Sequence, residues 1–412
     1  MDRTSRAASL LLVARSARGW ADGVASVLLA SYLTRLGLSP VEVGAIVTGT
    51  LLGSALLTIG LGVIGDRFAA RSVLLVAAWT MLLTGLAFAG LTTFWPLLVV
   101  AFVGTLNPSA GDVSVFLPTE QALLSRLGDS RAGTHRFAWY NVLGTLSGAA
   151  GALSSAVVVT LAQRAGLSTL SGERVGFVLY ACVGLACLGV YRALPSEASA
   201  AAGKRGLLQS SRGLVLRLAA LFSLDSFGGG FVVQSLLVLW LSRRFGMSVE
   251  ASGKLFFVTG LLAAGSQFIS PRLANRIGHV RTMVYTHLPA NLFLIAAGMM
   301  PTAPLAVGCL LARQALSQMD VPARQAYVMA MVPPEERVAA AALTNVPRSL
   351  AAAVPPLLVG ALLQASSFGW PLIIAGVLKA IYDLLLLAGF RHRRPPEPAV
   401  SAPAPAPRAV GP

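Results

Sequence analysis

The chain says the same thing twice. Arg35-Leu36-Gly37-Leu38-Ser39, followed by Gly44, returns 209 residues later as Arg244-Phe245-Gly246-Met247-Ser248, followed by Gly253. Asp66-Arg67 returns at the same offset as Asn275-Arg276, and Pro118, Gln121, Ala122, Asn141 and Val142 return 204 residues later as Pro322, Gln325, Ala326, Asn345 and Val346. One loop or helix absorbs the five-residue change of offset. A repeat of this length restricts the fold to two like halves, and in a very apolar chain it marks a membrane protein built by duplication.

The chain is very apolar. Hydrophobic residues make up 55% and charged residues 12%, with a mean hydropathy of +0.73, outside the range of soluble domains. Twelve apolar runs are long enough to cross a bilayer as helices: 10–33, 43–63, 73–91, 96–117, 138–162, 175–194, 218–242, 251–270, 282–300, 304–323, 341–364 and 369–389. The expected fold is therefore an all-α membrane protein of twelve transmembrane helices in two pseudo-symmetric six-helix bundles. The bundles would be 1–194 and 218–390, joined by a cytoplasmic linker at 195–217 and followed by a Pro/Ala-rich disordered tail at 391–412.

The net charge of +16 invites a nucleic-acid reading, but the basic residues form no compact stripe with interleaved aromatics. They follow membrane topology instead. With Arg15 and Arg18 counted in the N-terminal segment, 23 of the 32 Lys and Arg lie on the N-terminal side of the membrane. Six lie opposite, and Arg313, Arg348 and Lys379 fall within spans. That imbalance puts both ends in the cytoplasm of an inner membrane. Arg15, Arg18 and Asp22 interrupt the first run, which argues against a cleaved signal peptide. Cys182, Cys187 and Cys309 read as small core residues. The four histidines have no metal-ligand spacing and no phosphate-binding Gly-Lys-Ser/Thr loop is present, so neither an enzyme nor a cofactor is expected.

Gly62-Val63-Ile64-Gly65-Asp66-Arg67-Phe68-Ala69-Ala70-Arg71 resembles the signature loop of the major facilitator superfamily, with a partial copy at Asn275–Arg281. Together with twelve spans and six-helix halves, the resemblance covers essentially the whole chain. It implies a secondary transporter working by alternating access, with Asp66, Arg67 and Arg71 latching the halves. Ala69 and Ala70 depart from the usual pattern. Gly144, Gly148 and Gly151 in the fifth span are similar to a remnant of the glycine motif of proton-coupled drug antiporters, but without its Gly-Pro pair, and read first as a packing face.

Charged groups at membrane depth cost several kcal/mol unless paired or wet, so they are the best functional pointers. Asp22 sits mid-span and is the leading proton-coupling candidate, with Asp225 second. Arg313, Ser317, Asp320 and Arg324 share one helix face, flanked by Gln314 and Gln318. Arg313, Gln314, Ser317, Asn107, Asn141 and Asn345 are candidates for the substrate cavity. Glu120, Asp320 and Arg324 are gating candidates, Glu120 and Arg324 being opposite charges at repeat-related positions. Lys379 and Asp383 read as a local pair on the twelfth span, and Pro347, Pro355 and Pro356 should bend the eleventh.

The functional expectation is proton-coupled export of a drug or metabolite by a monomer, with a small molecule, protons and lipid as partners and no nucleic acid. Proton-coupled nutrient uptake, and a sensor that binds without transport, stand as alternatives.

Overall fold

The computed structural model describes residues 3–64, 68–109, 115–126, 130–194 and 211–391. The described residues form sixteen α-helices and no strand. The N-terminal half holds α1 (Arg3–Arg35), α2 (Pro40–Ile64), α3 (Ala70–Gly90), α4 (Phe94–Val103), α5 (Phe116–Arg126), α6 (Ser130–Arg164) and α7 (Thr169–Arg192). The C-terminal half holds α8 (Arg212–Gly230), α9 (Gln234–Phe245), α10 (Val249–Ile277), α11 (His279–Met299), α12 (Ala303–Ser317), α13 (Asp320–Met331), α14 (Arg337–Ala353), α15 (Pro355–Ala365) and α16 (Trp370–Phe390). Each expected span is occupied by helix. Four are occupied by two helices in line: α4/α5, α8/α9, α12/α13 and α14/α15. On length and composition alone, seven stretches of the described residues are apolar enough to cross a membrane, the broken α8/α9 and α14/α15 spans and the charge-bearing α16 among them; α1, α4/α5, α10, α11 and α12/α13 fall short of that measure.

The repeated motif has a physical meaning. Gly37 and Gly246 have φ of 86° and 65°, left-handed values that end α1 and α9. The following serine caps the next helix. Ser39 exchanges bonds with Glu42, its N–H donating to Oε2 at 2.7 Å while its Oγ accepts from the Glu42 N–H at 3.3 Å. Ser248 Oγ accepts from the Ala251 N–H at 3.2 Å. A third copy, Arg164-Ala165-Gly166-Leu167-Ser168, makes the same turn between α6 and α7, with Gly166 at φ 84° and Ser168 capping Ser171. Comparison of the halves does not single that copy out, because it lies within one half.

The glycine that closes each repeated motif is where the halves meet. A Cβ on Gly44 would lie 2.5 Å from the Pro356 carbonyl oxygen, and one on Gly253 would lie 2.5 Å from the Ala152 carbonyl oxygen. α2 thus packs on α14 and α15, and α6 packs on α10. Both glycine contacts fall at the end of the bundle that carries the turns. Within the N-terminal half, α1 lies along α6, where a Cβ on Gly23 would meet the Gly148 carbonyl at 2.0 Å and one on Gly151 the Trp20 carbonyl at 2.0 Å. The glycines of the fifth span are a packing face for α1.

The outside of the bundle is as apolar as its inside. α3 buries Leu74, Ala77, Ala78, Met81 and Phe88 and exposes Val76, Trp79, Leu83 and Leu86 on the opposite face. A helix hydrophobic all round is built for lipid, not for water.

Boundaries differ from expectation in two places. α1 begins at Arg3, so Arg15 and Arg18 are buried at 5% and 1% exposure rather than lying at an aqueous anchor. α8 begins at Arg212, which shortens the expected linker; 195–210, the tail from 392, Asp66, Arg67 and Asp112 lie outside the described residues. Pro347 is accommodated inside α14, and the bend of the eleventh span falls at Val354, before Pro355.

Gly253→Leu should part the halves without unfolding either, whereas Gly23→Leu, which wedges two helices of one half, should deplete folded protein. In a background lacking the native cysteines, Ser155→Cys beside Gly253 should react faster with a soluble thiol reagent once Gly253→Leu is added. An unchanged labelling rate would show that the contact is not tight.

Candidate functional site

Three of the helix breaks bring polar backbone to mid-depth, which is tolerated only where protein or a cavity satisfies it. At the α4/α5 break the Thr105 carbonyl accepts from the Tyr180 hydroxyl at 2.8 Å, and the Pro108 carbonyl accepts from the Ser235 N–H at 3.1 Å. Asn107 Oδ1 accepts from the N–H and hydroxyl of Ser109 at 3.1 and 3.2 Å, fixing the turn. At the α12/α13 break the Met319 carbonyl accepts from Ser270 Oγ. α4/α5 and α12/α13 are related by the repeat, so the break is part of the duplicated plan.

A closed set of charges surrounds the first break. Glu120, fully buried, accepts from Arg18 Nη2, from the Tyr140 hydroxyl and, at 2.6 Å, from the Tyr191 hydroxyl. The Arg18 guanidinium also stacks 4.0 Å from the Phe116 ring centre. Asp22 lies one turn further along α1, 6% exposed and beside the Asn107 side chain. Among the described residues, no Lys, Arg or His nitrogen comes within 4.0 Å of its carboxylate.

The C-terminal half carries a larger set. Asp225 on α8 accepts from Lys379 Nζ at 2.6 Å and from Arg324 Nη1 at 3.3 Å, with His287 Nε2 at 3.8 Å. Arg324 also donates to Asp320 at 3.1 Å. Asp383 accepts from the Asn291 amide at 2.8 Å and faces His287 Nδ1 at 3.0 Å. The expected Lys379–Asp383 pair is therefore corrected. Lys379 reaches across to α8, because a buried Asp225 needs the cation more than an Asp383 already held by α11. Glu120 and Arg324 do carry opposite charges at repeat-related positions. Each is neutralised within its own half, by Arg18 on the first span and Asp225 on the seventh.

Two adjoining cavities open beside the C-terminal set. One, of about 190 Å³, is lined by Ser109, Gln234, Thr259, Arg313, Gln314 and Gln318 against a wall of Leu237, Leu255, Phe256 and Leu310. The other, of about 120 Å³, is bounded by Asp225, Arg313, Ser317, Asp320, Arg324 and Lys379. Arg313 and Gln318 belong to both. Ser109 comes from the N-terminal half, so the first cavity lies between the bundles, where a substrate site of this architecture sits.

Residues 11–317 match the family model of the Major Facilitator Superfamily. The chain belongs to that superfamily. An uncharacterized membrane protein of Saccharomyces cerevisiae, YJR124C, is 27% identical over 405 residues, covering 89% of this chain and 90% of its own. The nucleoside transporter NupG superposes with a TM-score of 0.70 at 15% identity, over 95% of this chain and all of NupG. A bacterial homologue of the human lysosomal transporter Spinster, in an inward-facing and unoccupied conformation, gives 0.68 at 16% identity, over 94% and 96%. The human organic anion transporter MFSD10 gives 0.63 at 17%, over 94% and 100%. At these identities the three structures share the fold.

Membership of the superfamily makes this a multi-pass membrane transport protein. Of the cavity candidates, Arg313, Gln314 and Ser317 line it. Asn107 is fully buried and holds the helix break next to it. Asn141 is half-buried on α6, and exposed Asn345 accepts from Arg348 at 3.3 Å; neither lines either cavity. Of the gating candidates, Arg71 donates to the Arg192 carbonyl at 2.7 Å, capping α7. Glu120, Asp320 and Arg324 make ion pairs inside their halves. Gln234, Thr259 and Ser109 were missed. The signal that finds Gln234 and Ser109 is the interruption of helix beside each, which a hydropathy window smooths away.

Lys379→Met should destabilise the folded protein by about 3–5 kcal/mol, the usual cost of stranding one member of a buried ion pair. Adding Asp225→Asn should restore much of the loss in detergent melting experiments, while adding Asp383→Asn should not. Rescue by Asp383→Asn alone would return Lys379 to the local pairing.

Proposed function

We propose that this protein is a proton-coupled secondary transporter that exports small organic molecules across an inner membrane, with both chain ends in the cytoplasm. The observation that carries the reading is Asp22, a buried carboxylate that no Lys, Arg or His nitrogen approaches within 4.0 Å among the described residues, beside Asn107, which holds Ser109 on the cavity wall. An ionised carboxylate only accepts hydrogen bonds, whereas a protonated one donates. The Asn107 oxygen is already held by Ser109, so a proton gained at Asp22 would compete with Ser109 for it. The change is delivered to the helix break lining the cavity.

Asp225 is the weaker coupling candidate. Three basic side chains surround it, so its charge is committed to holding α8, α13 and α16 together. The halves touch closely at Gly44 and Gly253, beside the turns expected on the outer face, which supports an inward-open arrangement able to load from the cytoplasm. The mixed glutamine and aliphatic lining suits amphipathic organic molecules rather than sugars. Asp66 and Arg67 would complete a latch on the cytoplasmic side when the halves rock, with Arg71 anchoring that end of α7. The superfamily assignment and the name of MFSD10, a human organic anion transporter, are in keeping with this reading.

The test uses proteoliposomes and a compound first identified by thermal-shift screening. Asp22→Asn should abolish accumulation driven by an imposed pH gradient while leaving substrate exchange without a gradient. Its melting temperature should stay close to that of the native protein, because no ion pair is broken; Asp225→Asn should lower it. Gradient-driven transport that survives Asp22→Asn would place coupling elsewhere. Accumulation only in the opposite orientation would make the protein an importer.

A further inference from the structure

The charge balance around the central cavities is uneven. Among the described residues of the N-terminal half Arg15 and Arg18 stand against Asp22 and Glu120, and the set is neutral. In the C-terminal half Asp225, Asp320 and Asp383 stand against four cations: Arg313, Arg324, Arg348 and Lys379. His287 adds no fixed charge when neutral. Among the described residues one positive charge is left over, and the geometry says where it resides. Lys379 and Arg324 are bonded to Asp225 and Asp320. Arg348 donates to Ser226 Oγ at 3.0 Å and to Asn345 Oδ1, away from both cavities.

Arg313 alone among these cations faces both cavities with no carboxylate within 4.0 Å among the described residues. Its bond is a long one, Nη1 to the neighbouring Gln314 Oε1 at 3.3 Å, and its buried Nε has no hydrogen-bond partner. One turn along the same face, Ser317 is 5% exposed and its hydroxyl is also without a partner. A buried donor left unmade costs about 1–3 kcal/mol, more when charged, and two such donors beside one cavity suit a ligand that accepts from both. The guanidinium edge matches the two oxygens of a carboxylate, and the serine hydroxyl adds a third donor. Next to them stands the aliphatic wall of Leu237, Leu255, Phe256 and Leu310.

We propose that the central cavity binds organic monoanions, a carboxylate held by Arg313 and Ser317 with its apolar body against Leu237, Leu255, Phe256 and Leu310. This names the substrate class of the transport site proposed above and rests on that reading only for the claim that the bound anion is then moved. One unit of negative charge balances Arg313; a dianion exceeds it, and a cation meets its repulsion.

Equilibrium binding in detergent at one fixed pH separates this proposal from transport, because no gradient, direction or coupling is involved. The probes are straight-chain and phenyl-terminated monocarboxylates from butyrate to decanoate, each with its matched amide and amine. The native protein and Asp22→Asn should both bind carboxylates of the set at least about ten-fold more tightly than the amides, with the amines weakest. Raising the salt concentration should weaken that preference. Arg313→Gln should erase the preference, and Arg313→Lys should keep part of it. Melting without ligand checks that each variant folds; if Arg313→Gln does not, Arg313→Lys and Ser317→Ala carry the comparison, both predicted to weaken carboxylate binding and leave amide binding unchanged. Amides bound as well as carboxylates, no carboxylate bound at all, or an anion preference that survives in the Arg313 and Ser317 variants would overturn the proposal. If binding behaves as described but Asp22→Asn still transports uphill, the anion site stands and the coupling mechanism falls.

Discussion

Burying a charge in a bilayer-spanning bundle is tolerated only when an opposite charge or a cavity receives it, and the interior of this protein is arranged around that constraint. In each half one ion pair joins the first helix of the bundle to the broken fourth: Arg18 with Glu120, and Asp225 with Arg324. The pairs have reversed sign, yet they occupy related places and do the same job. Each clamps a helix that has lost part of its backbone hydrogen bonding at mid-depth. Tyrosines complete the first pair, while Lys379 and His287 complete the second. Because these bonds close within a half, each bundle can turn as a body without breaking them.

What joins the halves is different in kind. At Gly44, Gly253 and Gly360 backbone meets backbone with no side chain between, and at mid-depth Gln234 donates to Ser26 at 2.9 Å. Close glycine contacts of this sort give dispersion attraction without a charge to desolvate, so they can form and part at small cost. Rigid halves held by buried charge, meeting at surfaces held by packing, are the mechanical requirements for alternating access. The breaks at 104–109, 231–233 and 318–319 then place polar atoms at the one depth where both bundles can reach a ligand.

Much of this plan was legible in the sequence. The repeat is a turn, a helix cap and a contact glycine written twice, so its chemistry is local and survives in the residues themselves. The charged positions were also visible, since Asp22, Asp225, Arg313 and Arg324 stand out in apolar runs. Their partners were not. Lys379 lies four residues from Asp383, and helical spacing favours that pair; the choice of Asp225, 154 residues away, depends on which face of α16 is turned inward. Periodicity is silent on that when both faces are apolar. Arg15 and Arg18 passed as topological anchors because they lie near the end of the first run counted as cytoplasmic, whereas neighbouring helices bury both of them. Ser109 and Gln234 escaped because isolated polar residues next to a helix break look like ordinary interruptions.

The most direct test of the account is a double-mutant cycle on Arg18 and Glu120. Arg18→Met and Glu120→Met each leave a buried charge alone and should deplete folded, monodisperse protein, whereas the double variant replaces the pair with apolar groups of similar length and should recover most of it. Melting temperatures of the four proteins in one detergent give the coupling. The coupling should be large and favourable, with the double variant closer to the native protein than either single. Single variants as stable as the native protein, or effects that simply add, would contradict it.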